Sequence, residues 1–80
     1  MSTVSASQIK AARLLLGLTV GELASSANIG VATIKRFEAS DGIPEHRSGN
    51  LDKVRVALEA RGIEFLGDPI ASPGVRLHKK

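Results

Sequence analysis

Two adjacent cations, Lys35 and Arg36, are the side chains best suited to a binding function in this sequence. Arginine and lysine can hydrogen bond to the edge of guanine or to phosphate oxygens. Val31 and Ala32 precede them, and their side chains can make only apolar contacts, such as those with the methyl group of thymine. A lone Lys-Arg pair also fits an ordinary solvated surface. Whether these two cations bind a partner therefore depends on the elements around them.

Residues suited to catalysis or metal binding are sparse. The sequence has no glycine-rich phosphate loop and no cysteine, and its two histidines, His46 and His78, lie far apart with no nucleophile motif nearby. Asp41 and Glu45 lie close to His46, but in a predicted turn. We therefore expect no enzyme activity, no metal site and no cofactor.

The spacing of apolar residues predicts four short helices before residue 62. They cover residues 6–16, 20–26, 31–39 and about 49–61. Ser5 and Thr19 each begin a capping box, and Gly17 and Gly62 are placed to end helices. Asn28 stands at a turn, where it can adopt a left-handed conformation. Residues 1–62 are therefore expected to form one helical domain.

The pattern changes after residue 62, because residues 63–66 and 75–78 are typical of strands. We expect a C-terminal β-hairpin within residues 63–80. Two isolated strands are only marginally stable in water, so the hairpin should either pack Phe65 on the helices or pair with a second chain. In the second case Phe65, Val75 and Leu77 are the candidate dimerisation residues. The predicted fold is mainly α, with four to five short helices and this hairpin.

Composition sets limits on stability and partners. A chain of 80 residues, 42% of them hydrophobic and 24% charged, is expected to be a soluble domain with a single small core. It has no disulfide to support that core, so a partner subunit is the expected support. The net charge of +3 arises from Arg76, Lys79 and Lys80, because residues 1–68 carry eight basic and eight acidic side chains. With neither a membrane-length apolar run nor a signal peptide, we expect a cytoplasmic protein.

Residues 19–38, TVGELASSANIGVATIKRFE, combine a short helix, a tight turn and a second short helix, which is helix-turn-helix geometry. The segment resembles the Cro-like or xenobiotic-response-element (Xre) regulators, whose DNA-binding domain is phage-repressor-like. Their motif runs S/T-Q-x-E-L-A, four residues, then V-S-x-x-T-I-x-x-aromatic-E. The matching residues are Thr19, Glu22, Leu23, Ala24, Ile29, Thr33, Ile34, Phe37 and Glu38, with Ala-Arg-x-x-x-Gly at 12–17 ahead of them. The resemblance covers nearly all of residues 7–61.

Two residues depart from this motif. Val20 stands where the family has a glutamine that contacts DNA, and Gly30 replaces the family's serine cap. Backbone amides are unaffected by either change, and a helix N-terminus can bind phosphate through them. We therefore expect Thr19, Val20 and Gly21 to contact a DNA phosphate through the backbone.

The resemblance implies roles for further residues. The side of the third helix opposite Ile34 and Phe37 carries Val31, Ala32, Lys35, Arg36 and Ala39, which would face base edges in the major groove. Thr33 is either a phosphate ligand or a local cap. The resemblance places His46 and Arg47 in a loop that contacts the sugar-phosphate backbone, and Ser48 is expected to be a helix cap rather than a ligand. These DNA-binding candidates are Thr19, Val20, Gly21, Val31, Ala32, Thr33, Lys35, Arg36, His46 and Arg47.

Arg13 and Glu38 place opposite charges on the apolar sides of two predicted helices. An unpaired buried charge is costly, so we predict a salt bridge between them. The alternative is that both side chains extend to solvent.

The expected function is that of a sequence-specific transcriptional regulator that binds double-stranded DNA. It would act as a homodimer on an inverted-repeat operator and regulate its own gene, with RNA polymerase or an antagonist protein as further candidate partners. The alternative is a protein-interaction module, such as an antitoxin or adaptor, because the scaffold resembles those proteins as well.

Overall fold

The computed structural model describes residues 4–44 and 49–79. These residues form the helices α1 (Ala6–Leu16), α2 (Val20–Ala27), α3 (Val31–Ala39) and α4 (Asn50–Ala60) and the strands β1 (Ile63–Leu66) and β2 (Gly74–Leu77). The predicted mainly α fold with a C-terminal hairpin is confirmed. The element bounds differ from prediction by one residue at some ends, since α2 extends to Ala27 and β2 begins at Gly74.

Both predicted capping boxes are present. The Ser5 hydroxyl oxygen accepts from the Gln8 backbone N–H, and Gln8 Oε1 accepts from the Ser5 backbone N–H at 3.0 Å. Thr19 and Glu22 repeat the arrangement at α2, with N···O distances of 3.0 and 2.8 Å. The backbone N–H of Thr19 lowers the pKa of the Glu22 carboxyl below its usual range. These local bonds explain why α1 and α2 begin where the sequence predicts.

Left-handed backbone positions end the first two helices. Gly17 follows α1 with a φ of 70°, and Asn28 follows α2 with a φ of 58°. Asn28 is the single non-glycine residue with positive φ in the part of the chain that the structure describes. Its short polar side chain tolerates this conformation better than most, so the chain can turn sharply between α2 and α3.

The helices enclose one core. Its buried apolar side chains come from the segment before α1, from all four helices and from β1. They are Val4, Ile9, Ala12, Leu23, Ala24, Ala27, Ile34, Phe37, Leu51, Val54, Leu58 and Ile63.

The hairpin covers one side of this core. Its antiparallel register pairs Ile63 with Leu77 and Phe65 with Val75. β2 packs on α1, and β1 packs on α4. Phe65, Val75 and Leu77 are half-buried against the core. Of the two arrangements considered for the hairpin, the structure has the one that packs Phe65 on the helices. The dimerisation role of Phe65, Val75 and Leu77 stays a prediction.

The turn of the hairpin is organised by Asp68. Its carboxylate accepts from the backbone N–H groups of Ile70 at 2.9 Å and Ala71 at 2.6 Å, and these donors lower the pKa of the carboxyl. Gly67 precedes it with a φ of 72°, and a Cβ there would lie 2.1 Å from the Ser72 carbonyl oxygen. Only glycine fits this close approach of two backbone segments.

Gln8 ties the hairpin to the start of α1. This side chain is 2% exposed. Its Nε2 donates to the carbonyl oxygens of Leu66 at 3.1 Å and Gly74 at 3.0 Å, while its Oε1 serves the capping box. One amide therefore caps a helix and holds the turn end of the hairpin.

Gln8→Ala should lower the free energy of unfolding by about 1 to 3 kcal/mol, because it removes three hydrogen bonds from a buried site. Gln8→Glu keeps the acceptor for Ser5 but not the donor for the hairpin, and so separates the two roles. Urea unfolding, followed by circular dichroism, measures the free energy of unfolding of both variants. The control Lys10→Ala, at an exposed position of α1, should change stability by less than about 0.5 kcal/mol. An unchanged midpoint for Gln8→Ala would show that the tether does not stabilise the fold.

Candidate nucleic-acid interface

The connection between α2 and α3 is tight. The backbone N–H of Ile29 donates to the Ala24 carbonyl oxygen at 3.0 Å, and that of Asn28 donates to Ser25 at 3.2 Å. Ile29 is half-buried and packs against the core. α2 and α3 also pack on each other. These contacts hold the two helices in the helix-turn-helix arrangement that the sequence indicates.

α3 has one buried side and one exposed side. Ile34 and Phe37 are 0% exposed. The opposite side presents Val31, Ala32, Lys35 and Arg36, all exposed, together with Ala39. The structure therefore brings together four of the residues predicted to contact bases. We call Val31, Ala32, Lys35, Arg36 and Ala39 the α3 outer face.

Arg36 is oriented by its neighbours on α3. Its guanidinium carbon lies 5.0 Å from the centroid of the Phe37 ring, within the range of a cation–π contact. Its carbonyl oxygen accepts from the Ser40 hydroxyl at 2.8 Å. The contact with Phe37 places the guanidinium beside the helix, and the residue as a whole stays exposed.

The predicted phosphate contact at the start of α2 needs a correction. The backbone N–H of Thr19 already donates to the Glu22 carboxylate, so it has no proton left for a phosphate. The Val20 side chain is half-buried against the core. The remaining donors at this end of α2 are the amides of Val20 and Gly21 and the hydroxyl of Thr19, which uses only its oxygen in the cap.

The start of α3 is capped differently. Gly30 is its N-cap and supplies no side-chain hydrogen bond, whereas its carbonyl oxygen accepts from the backbone N–H of Thr33 at 3.1 Å. The amides of Val31 and Ala32 fall in the first turn, where a helix has no internal acceptors. Thr33 is half-buried at the rim of the α3 outer face. This helix end therefore has room for an anion at its first turn.

The connection from α3 to α4 is described only in part. His46, Arg47 and Ser48, predicted as two backbone contacts and a helix cap, lie outside the described residues. Before them, the Gly42 carbonyl oxygen accepts from the Ala6 backbone N–H at 2.9 Å. After them, Gly49 is the N-cap of α4 with a φ of 72°.

Arg13 and Glu38 form the ion pair predicted between α1 and α3. Arg13 Nε donates to Glu38 Oε2 at 2.8 Å, and Arg13 Nη2 donates to Oε1 at 3.0 Å. The two side chains are only 12% and 10% exposed, so they do not extend to solvent. Arg13 Nη1 also donates to the Leu18 carbonyl oxygen at 3.0 Å, and the hydrogen bonds to Glu38 raise the pKa of Arg13. The pair fixes α3 against α1 and the segment before α2.

A further link between elements was not predicted. Arg61, at the end of α4, donates to the Ser26 hydroxyl of α2 at 2.7 Å. The two residues lie far apart in the chain, and neither has a local pattern that could have indicated the contact. The bond joins α4 to the helix-turn-helix.

The described residues hold neither a metal-binding cluster nor a membrane-spanning helix. No group of three or more histidine, cysteine, aspartate or glutamate side chains is placed to hold a metal ion there. Within the same residues, no helix has the length and apolar character needed to cross a membrane.

Comparison with family models and curated proteins identifies no relative of this chain. No protein-family model matches the chain, and no curated protein is similar enough to count as a match. The functional interpretation therefore depends on the geometry of α2 and α3 and on the residues that resemble the repressor motif.

Glu38→Ala should lower the free energy of unfolding by about 3 kcal/mol, because Arg13 would keep its charge in a nearly buried site without its carboxylate partner. The double variant Arg13→Met/Glu38→Leu should recover most of that loss. Chemical unfolding of Arg13→Met, Glu38→Leu and the double variant measures the coupling. The control Glu59→Ala breaks an exposed ion pair with Arg55 and should cost less than about 1 kcal/mol. Equal effects of Glu38→Ala and Glu59→Ala would contradict the structural role of the pair.

Proposed function

We propose that this chain is a transcriptional regulator that binds double-stranded DNA in a sequence-specific manner. The observation that carries the proposal is the α3 outer face. It presents two cations and several small or apolar side chains, and it lies on the second helix of a helix-turn-helix whose other side is anchored in the core. A helix so placed can enter the major groove.

The α3 outer face and the segments beside it have separate roles in this proposal. Val31 and Ala32 contact thymine methyl groups, and Lys35 and Arg36 hydrogen bond to guanine or to phosphate. The amides of Val20 and Gly21 bind a phosphate that flanks the groove, because they lie at the start of a helix. His46 and Arg47 contact the DNA backbone, as the resemblance implies.

The charge distribution supports DNA as the partner. α3 contains one acidic residue, Glu38, and Arg13 neutralises it in a nearly buried pair. The charges that α3 exposes are therefore those of Lys35 and Arg36, and both are positive. Such a helix is attracted to phosphates rather than repelled by them.

The regulator acts as a homodimer on an inverted repeat, with the two α3 helices in successive major grooves about 34 Å apart. The described chain has extents of 28 × 27 × 20 Å, so two copies side by side can reach this spacing. An operator that overlaps a promoter gives repression, including repression of the regulator's own gene. This function places the protein in the cytoplasm, on the nucleoid, with RNA polymerase or an antagonist protein as further partners.

Arg36→Ala should weaken binding to the preferred duplex by about 1 to 3 kcal/mol, because it removes a hydrogen-bonding cation from the groove. The duplex is first selected from a random pool with the full chain. Fluorescence anisotropy then compares it with a scrambled duplex at several salt concentrations. The matched control Arg76→Ala removes the same charge from the hairpin, where the side chain is 60% exposed, and should leave the preference for the selected duplex intact.

The proposal requires a preference for the selected duplex and binding that weakens as salt rises. Equally weak binding of both duplexes would contradict it. The protein-interaction module considered from the sequence would then be the better explanation.

A further inference from the structure

The outer side of α1 carries two exposed leucines. Leu14 is 60% exposed and Leu15 is 50% exposed, although the helix already buries Ile9 and Ala12 on its other side. Ser7 and Ala11 lie on the same side as the leucines, because positions i, i+4, i+7 and i+8 share one side of a helix. We call Ser7, Ala11, Leu14 and Leu15 the leucine face. It gives α1 a second apolar surface that the fold itself does not use.

A cleft lies beside the N-terminal half of this face. It has a volume of about 290 Å³ and lies at the surface where β2 packs on α1. Its lining residues are Ser7, Gln8, Ala11, Pro73, Gly74 and Val75. The polar atoms of the Gln8 amide are already bonded to Ser5, Leu66 and Gly74, so the cleft is suited to an apolar side chain.

The leucines and the cleft are spaced so that they fit each other across a two-fold axis. If two α1 helices pack antiparallel with the axis beside Ala11, Leu14 of one copy lies opposite Gln8 of the other. Leu15 then lies opposite Ser7. Leu15 of each copy is therefore brought to the cleft of the other, Leu14 packs beside it, and the small side chain of Ala11 allows the helices to approach closely.

We propose that the leucine face is the surface through which two copies of this chain form a dimer. A second copy is the occupant that fits, because one surface holds both the projecting leucines and the recess that receives them. None of the four residues of the face is charged, as is typical of the centre of a protein–protein interface. This inference deepens the proposed function and rests on it for the need to place two α3 helices on one operator.

The open edge of β2 enlarges the surface. The backbone N–H of His78 donates to Gly62, so the alternation of an antiparallel ladder turns the N–H and C=O groups of Val75 and Leu77 away from β1. No described residue hydrogen bonds to them. A stable interface buries about 800 Å² on each partner, which two leucines cannot supply alone. The strand edge, which borders the cleft, provides further area and backbone donors and acceptors.

The double variant Leu14→Glu/Leu15→Glu should raise the dissociation constant of the dimer at least about tenfold, because it places four carboxylates in an apolar contact. Sedimentation velocity over a range of concentrations measures this constant. Both side chains are at least half exposed in the single chain, so the helical circular dichroism signal should not change. The matched control Val56→Glu alters a residue of α4 that is 51% exposed and should leave the dimer intact.

A second measurement locates the axis without disturbing the apolar contact. The chain has no cysteine, so single-cysteine variants can be oxidised without competing reactions. Ala11→Cys should form a disulfide-linked dimer, because the axis beside residue 11 brings its two copies together. Ser25→Cys, at an exposed position of α2, should remain largely uncrosslinked under the same conditions.

The outcomes separate the interface from the DNA-binding proposal. A parent protein that sediments as a monomer, or a leucine variant that still dimerises like the parent, would overturn the interface. If the interface is correct, the leucine variant keeps its affinity for a single half-site and loses the added affinity for the inverted repeat. Loss of the dimer in the leucine variant of a protein that shows no DNA preference would support the interface and contradict the proposed function.

Discussion

A charge removed from water must be neutralised where it lies, and in this small core that requirement joins α1 to α3. Arg13 and Glu38 satisfy it with two hydrogen bonds, and a third bond from Arg13 reaches the Leu18 carbonyl oxygen just before α2. One guanidinium therefore links α3 to both of the other segments, in addition to the apolar contacts of the core. Because Glu38 is paired there, the charges that α3 exposes are both positive. The pair thus links the stability of the core to the electrostatics of the proposed interface.

Two polar side chains of this short chain, Gln8 and Glu22, each affect more than one part of the structure. Gln8 completes a capping box and also holds the carbonyl groups at the turn end of the hairpin. Glu22 completes the second capping box, and by doing so it occupies the Thr19 amide, one of the three proposed phosphate donors. A contact that stabilises a helix end can therefore remove a donor from a binding surface. The amides of Val20 and Gly21 are consequently the stronger candidates at this end of α2.

The distribution of apolar surface is related to the size of the protein. A domain of about this length buries only roughly 60% of the surface of its unfolded chain, and the hairpin already covers one side of the helices. Leu14 and Leu15 nevertheless stay exposed. A second copy on the leucine face would bury them and would place two α3 helices on one DNA molecule. Dimerisation would then require an uncharged surface on α1, whereas DNA recognition would require a positive surface on α3.

The sequence by itself determined the local structure of this protein. The capping boxes at Ser5 and Thr19 and the left-handed turn at Asn28 depend on residues at most a few positions apart, so spacing was sufficient to predict them, and charge was sufficient for the Arg13–Glu38 pair. Only the tertiary structure decided that Phe65, Val75 and Leu77 pack inward, that Gln8 reaches Leu66 and Gly74, and that Arg61 bonds to Ser26. These outcomes depend on which distant segments meet. An alternating strand pattern shows that one face is apolar, but the partner that covers it is set by the packing of the whole chain.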